Sequence, residues 1–340
     1  MKKLMTHKII VVLLAAFTGF NPSIMASKAE PNEVKRLLVC SVTQSFRHSS
    51  IAIGEQTLKE LAAAHDGFEI AVWIRQPDIE VPRGPRPPRQ PGPDANETQI
   101  ARYEAARQAF EKANKEWEAS GNKELAQQRQ LQMNEAQQVA LQQLSPDALR
   151  AARIDAVVFN NTSGNLALPD LDGLIDWVEE GHGFISIHAG TDTLKNESRY
   201  TEMTQGIFNG HGPQVSATLH AGDPDHPANA GIGAVWHLPQ EEIYLFKEHD
   251  RSKVRNIWYM RHHPNDPEQE GYFPIVWCRY VGEGRFFNTA LGHREDLFCI
   301  DPQYPNRINP PEVAEQFRAH LLGGILWTLR LAEGSGEPNP

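Results

Sequence analysis

The chain has 340 residues, a formal charge of −10 and three cysteines. That acidic balance disfavours binding to a nucleic-acid backbone or an anionic membrane surface. Three scattered cysteines make no disulfide framework, and Cys40 and Cys278 sit in strand-like runs that read as core, with room left for one bridge.

At the N-terminus, Lys2, Lys3 and Lys8 precede an apolar run over residues 9–20, and small residues follow around Ala26 and Ala29. This pattern predicts a secretory signal over residues 1–29, cleaved after Ala26 or Ala29, and hence a periplasmic or secreted protein. The run is too short for a lasting membrane helix, and no later stretch approaches the roughly 20 apolar residues that a span needs. Cleavage after Ala29 removes four lysines and no acid, taking the formal charge from −10 to −14.

The main α/β domain is expected over residues 30–332. Residues 36–42 read as a buried strand, followed by a loop holding Arg47, His48 and Ser49, a helix with Ile51, Leu58 and Leu61 on its apolar face, and a second strand over 68–73. Strand and helix alternate again from residue 154 to His188. This pattern predicts a largely parallel sheet with helices on both faces.

Residues 77–145 interrupt the domain. Seven prolines between Pro77 and Pro93 favour an extended segment. Tyr103, Ala106, Phe110, Ala113 and Trp117 then form a narrow apolar stripe. Ser120-Gly-Asn122 breaks it before a Gln-rich helix with Ala126, Met133, Ala136, Ala140 and Leu144 on a weaker stripe. A helical hairpin over residues 97–144 is expected, packing on the domain, on a protein partner or on a second copy; a disordered insert is the alternative.

Beyond Asp192 the chain reads as strands over 215–220, 243–246, 257–260, 275–280 and 285–289. Gly282-Glu-Gly284 turns between the last two. A closing helix over 311–331 carries Val313, Phe317, Leu321, Ile325 and Thr328 on one face, and residues 333–340 read as a flexible tail.

Chemistry-bearing residues follow predicted strands, where open α/β sheets bind ligands. Gly183-Phe-Ile-Ser-Ile-His188-Ala-Gly190 is a strand running into an elbow with histidine at its exposed apex. His188 suits a general base or a metal ligand, or simply a hydrogen bond that holds the loop. Asp192 suits orienting that imidazole, binding a hydroxyl, or an N-cap. His48, Asn160, Thr162 and His293 are expected at the same rim, with Arg47, Ser49, Thr191, His211 and Glu248 as further substrate contacts. For each, an ordinary loop or cap role is the alternative. No Gly-x-Gly-x-x-Gly, Walker loop, Gly-x-Ser-x-Gly or Cys-x-x-Cys is present, nor a His-Glu-x-x-His metal motif.

Five segments in order resemble the ThuA (trehalose utilisation) family: Phe46-Arg-His-Ser-Ser-Ile51, Asn160-Asn-Thr-Ser-Gly164, Gly183 to Asp192, Asp225-His-Pro227, and Gly284-Arg-Phe-Phe-Asn-Thr-Ala-Leu-Gly-His293. The resemblance covers about residues 35–332 without the insert. It implies a flavodoxin-like, class I glutamine amidotransferase-like fold, a carbohydrate ligand, and links to pathways that oxidise disaccharides to 3-keto sugars. With histidine in place of a thiolate at the elbow, glutaminase chemistry is disfavoured. The expected function is acid–base processing of a disaccharide, glycoside or 3-keto sugar by His188, Asp192, His48 and His293, with a divalent metal as an open option. The alternative is a non-catalytic carbohydrate-binding or protein-interaction module.

Overall fold

The computed structural model describes residues 33–339, so the expected signal segment lies outside the described residues. Strand β1 (Lys35–Cys40) buries its last four residues. Leu37 and Val39 join one hydrophobic cluster and Leu38 and Cys40 the other, as a strand covered on both faces requires. Helix α1 (Ser50–Ala63) buries Ile51, Leu58 and Leu61, and β2 (Phe68–Ile74) pairs parallel to β1.

The interruption holds α2 (Glu97–Ala119) and α3 (Asn122–Leu141), followed by the short α4 (Pro146–Ala151). An Asn96 capping box with Gln99 starts α2, and Gly121, at φ +74°, makes the break between α2 and α3. Helix α2 buries no residue fully, so its predicted stripe is only partly covered. Helix α3 buries Met133, Gln137 and Leu141. Leu141 and the following Leu144 belong to the main core, so the domain has absorbed the C-terminal end of the expected insert.

Next come β3 (Ala156–Asn160), α5 (Leu171–Glu179), β4 (Gly183–Ile187), α6 (Ser198–Thr204), β5 (Ile207–His211), β6 (Val215–Ala221), β7 (Val235–Glu241) and β8 (Tyr244–Lys247). The chain ends with β9 (Arg255–His263), β10 (Asp266–Val281), β11 (Gly284–Thr289), the single-turn α7 (Glu295–Phe298) and α8 (Pro311–Thr328).

The main sheet has nine strands in the order β2-β1-β3-β4-β11-β10-β9-β6-β7 among the described residues. The first five are parallel neighbours and form the predicted α/β sheet. The last four are joined antiparallel, so the largely parallel reading holds for one half and an antiparallel wing completes the other. Strands β5 and β8 form a separate ribbon in which His211 pairs with Tyr244.

Helix α8 buries Val313, Phe317, Leu321, Ile325 and Thr328 as its spacing predicts. The tail differs from the expected loose end. Gly334 accepts a hydrogen bond from the Trp327 indole, and Asn339 donates to the carbonyls of Gly222 and Asn256. All three cysteines are free thiols, with Cys40 and Cys278 buried. No helix among the described residues is long and apolar enough to cross a membrane.

Candidate active site

Strand β4 ends in His188, whose φ of +48° lies in the left-handed region that non-glycine residues rarely adopt. The elbow is therefore sharp, and it is tight: a Cβ on Gly190 would stand 2.3 Å from Ser186 Oγ. The side chain is not exposed as the elbow pattern predicts; it is 0% accessible. The β5–β8 ribbon accounts for part of this cover, since the Tyr244 ring lies 4.2 Å from the imidazole.

Three further residues meet His188. His48, from the loop after β1, lies with its ring 4.8 Å away, and His293, beyond β11, lies 5.5 Å away. Glu242, the residue after β7, places Oε2 3.6 Å from His188 Nε2 and 3.1 Å from His293 Nδ1. One ligand-type atom from each of His48, His188, Glu242 and His293 lies within 4.8 Å of the others. The other Glu242 oxygen is 3.1 Å from Nδ1 of His211, which is 42% exposed.

Neighbouring backbone fixes this arrangement. His188 Nδ1 lies 2.7 Å from the Ala290 carbonyl, which can only accept, so Nδ1 carries the proton and Nε2 a lone pair. Glu241 takes the backbone N–H groups of Gly292, His293 and Arg294 at 3.2, 2.7 and 3.3 Å, holding the turn that presents His293. Each of these three histidines has one buried ring nitrogen without a hydrogen-bond partner of good geometry: His48 Nδ1, His188 Nε2 and His293 Nδ1.

Burial drives the electrostatics. It lowers the His48 pKa to about 3, helped by His188 and His293. It also lowers that of His188, against the pull of Glu242 and the Ala290 carbonyl. Burial opposes charge on His293 as well, but Glu242 and Glu241 outweigh it and raise the pKa. For Glu242 burial favours the neutral acid, yet the contacts with His188 and His293 win and keep it ionised. Burial thus leaves His188 neutral, with the ionised Glu242 beside it. Burial pushes Glu241 up to about 7, against His293 and its three backbone N–H groups.

Of the residues expected at the rim, His48, His188 and His293 converge and His211 joins them through Glu242. Asp192 does not orient the imidazole; that role falls to Ala290, and Asp192 pairs with Lys195 at 2.5 Å. Asn160 and Thr162 are buried structural groups: Asn160 donates to Ser41 Oγ and the Ile51 carbonyl, and Thr162 bonds Thr193. Thr191 donates to the His188 carbonyl and Arg47 to the Ser41 carbonyl, so both hold loops. Ser49 is exposed at the start of α1 and makes no side-chain cap. Glu248 lies beside His249, Asp250 and Glu202 in a different cleft.

Glu242 was not singled out by the sequence, nor were Glu241 and Tyr244. Strand β7 buries Trp236 and Leu238 and exposes Val235 and His237, and Glu241-Glu242 stand at its end. Phe46, 63% exposed, sets its ring edge-on to His48 at 4.7 Å. A cleft of about 1150 Å³ opens nearby between the Pro-rich segment and α3, lined by Thr43, Arg47, Gln76, Pro82, Met133 and Gln137. None of the four converging residues lines it.

The family model for ThuA, trehalose utilisation, matches residues 97–328. A ThuA-like protein from Bacteroides uniformis ATCC 8492 has the same fold at 15% identity and a TM-score of 0.52, covering 92% of this chain and 98% of that one. A ThuA-like protein from Parabacteroides merdae ATCC 43184 gives 14% identity and a TM-score of 0.50, over 87% of this chain and 90% of its own. No curated protein sequence matches significantly. More than half of the chain lies within the matched segment, and the chain belongs to the ThuA, trehalose utilisation, family.

Proposed function

We propose that this chain is an exported enzyme of carbohydrate utilisation that performs acid–base chemistry on a small sugar, with a disaccharide, glycoside or 3-keto sugar as substrate. Family membership supports the carbohydrate class. The observation that carries catalysis is the convergence of His48, His188, His293 and Glu242 within 4.8 Å. A module that only recognised sugar hydroxyls would have no need for three imidazoles gathered on one buried carboxylate, because burying polar groups without full partners costs about 1–3 kcal/mol each.

In this reading His48, His188 and His293 with Glu242 form the floor of the site. His211 is the imidazole open to substrate. Its Nδ1 lies 2.8 Å from the Gly212 carbonyl and 3.1 Å from Glu242, so Nδ1 donates and Nε2 is free to take a proton. A 3-keto group acidifies the adjacent C–H. Removal of that proton by His211 allows the β-positioned glycosidic oxygen to leave, the C–O electrons going to that oxygen as the new C=C forms and the proton held by His211 passing to it to give the free alcohol. Phe46 offers an exposed ring face for the sugar. Export rests on the charged and apolar opening of the sequence.

The test is to incubate purified protein with a panel of disaccharides and their 3-keto forms and to follow products by mass spectrometry. The reading expects turnover of at least one member, slowed about 10²–10⁴-fold by His211→Gln. Saturable binding across the panel with no product from any member supports the carbohydrate-binding alternative instead.

A further inference from the structure

We propose that His48, His188, His293 and Glu242 bind one divalent transition-metal ion of the zinc class. Neutral imidazole nitrogens and a carboxylate oxygen are the donors that such ions take.

The Nδ1 proton of His188 is committed to the Ala290 carbonyl, so the Nε2 lone pair points into the centre, where Glu242 Oε2 lies 3.6 Å away. Two acceptors facing each other in a buried site repel unless a cation stands between them. His48 brings a ring nitrogen to the same place, and His293 brings Nδ1, 3.1 Å from Glu242 Oε2. Protons on all three imidazoles would repel at ring separations of 4.8 to 5.5 Å, whereas one metal ion satisfies every donor together.

Spacing agrees. In a tetrahedral site with bonds of about 2.0–2.1 Å, ligand atoms stand roughly 3.3 Å apart. The two Glu242 contacts, at 3.1 and 3.6 Å, already match, and the widest pair, at 4.8 Å or less, needs to close by about 1.5 Å at most. Outer contacts resemble those of metal sites: Ala290 fixes the His188 tautomer and His211 holds the second Glu242 oxygen. The ligands come from four separate segments with no local spacing motif.

The inference rests on the proposed function only for the ion's use, which is to polarise a substrate carbonyl or hydroxyl oxygen. Binding itself needs no sugar. The decisive experiment dialyses the protein against chelator and titrates it with Zn²⁺ by calorimetry at neutral pH, alongside His188→Ala, His293→Ala and Glu242→Gln. One equivalent should bind the parent. Each variant should lose more affinity than the roughly 10–100-fold that outer-contact changes cause. Circular dichroism identifies any variant that fails to fold, and for such a variant Co²⁺ added to the parent gives the answer, because an N₃O site yields a four- or five-coordinate visible spectrum. Absence of stoichiometric binding in the parent, equal affinity in the folded variants, or a six-coordinate Co²⁺ spectrum of the hydrated ion overturns the proposal. If the parent binds Zn²⁺ but turns over no sugar, the metal site stands and the enzymatic reading fails.

Discussion

The backbone carbonyl of Ala290 lies 2.7 Å from Nδ1 of His188 and so determines which nitrogen of a fully buried imidazole is bare. Ala290 follows β11 and His188 follows β4, and these strands are parallel neighbours in register from Arg285–Gly183 to Thr289–Ile187. Sheet register thus sets the protonation geometry of the site. Nitrogen-15 NMR on the folded protein, freed of metal by chelator, should show His188 as the Nδ1–H tautomer; an Nε2–H tautomer would remove the inward lone pair on which the site depends.

Glu241 should matter for stability and Glu242 for function, although they are adjacent. Glu241→Ala leaves the N–H groups of Gly292, His293 and Arg294 without their acceptor, at roughly 1–3 kcal/mol for each that stays buried. Urea unfolding should show a loss of several kcal/mol. A loss below about 1 kcal/mol would mean that water replaces the carboxylate without cost.

The three histidines of the centre were legible in the sequence because each follows a strand-like run, and strand ends gather at one rim of an α/β sheet. Glu242 was not legible. Pro239-Gln-Glu-Glu-Ile reads as a solvated charged strand end, and only the antiparallel wing brings it under the ribbon. Glu248, six residues later and expected as a substrate contact, lies in a different cleft. Asp192 pairs with Lys195, three residues on, while the Ala290 carbonyl takes His188 Nδ1. Likewise β5 and β7 were missed because Gly210 and Pro239 punctuate them.

The insert should divide energetically along α3. Leu141 is completely buried, so Leu141→Ala should cost about 2–5 kcal/mol. Val139, 73% exposed and two residues away, should change stability by no more than about 0.5 kcal/mol when replaced by alanine. Similar small effects at both positions would mean that α3 leaves the core in solution.

Acid should destabilise the fold through histidines remote from the site. Burial lowers the pKa of His320 to about 4, and His320 Nδ1 lies 2.7 Å from the Ala228 carbonyl. Unfolded histidine titrates near 6.5, so as pH falls below that value the unfolded chain takes up a proton that the folded chain refuses. The stability from keeping this group neutral is complete above about pH 6.5 and is lost progressively down to about 4, at up to about 1.4 kcal/mol per pH unit. His320→Gln should make the pH dependence shallower by about that slope across this window; an unchanged slope would show that His320 protonates freely in the folded protein.

The most direct test of the account replaces Glu242 by glutamine, which keeps the size but removes the charge shared by His188, His293 and His211. Initial rates on whichever 3-keto sugar or glycoside the parent consumes should be compared with melting temperatures from the same preparations. If these residues form one catalytic centre, the rate should fall by at least about 10²-fold while the protein still melts cooperatively. Parental turnover by a folded Glu242→Gln protein would contradict the account and move the chemistry elsewhere in the molecule.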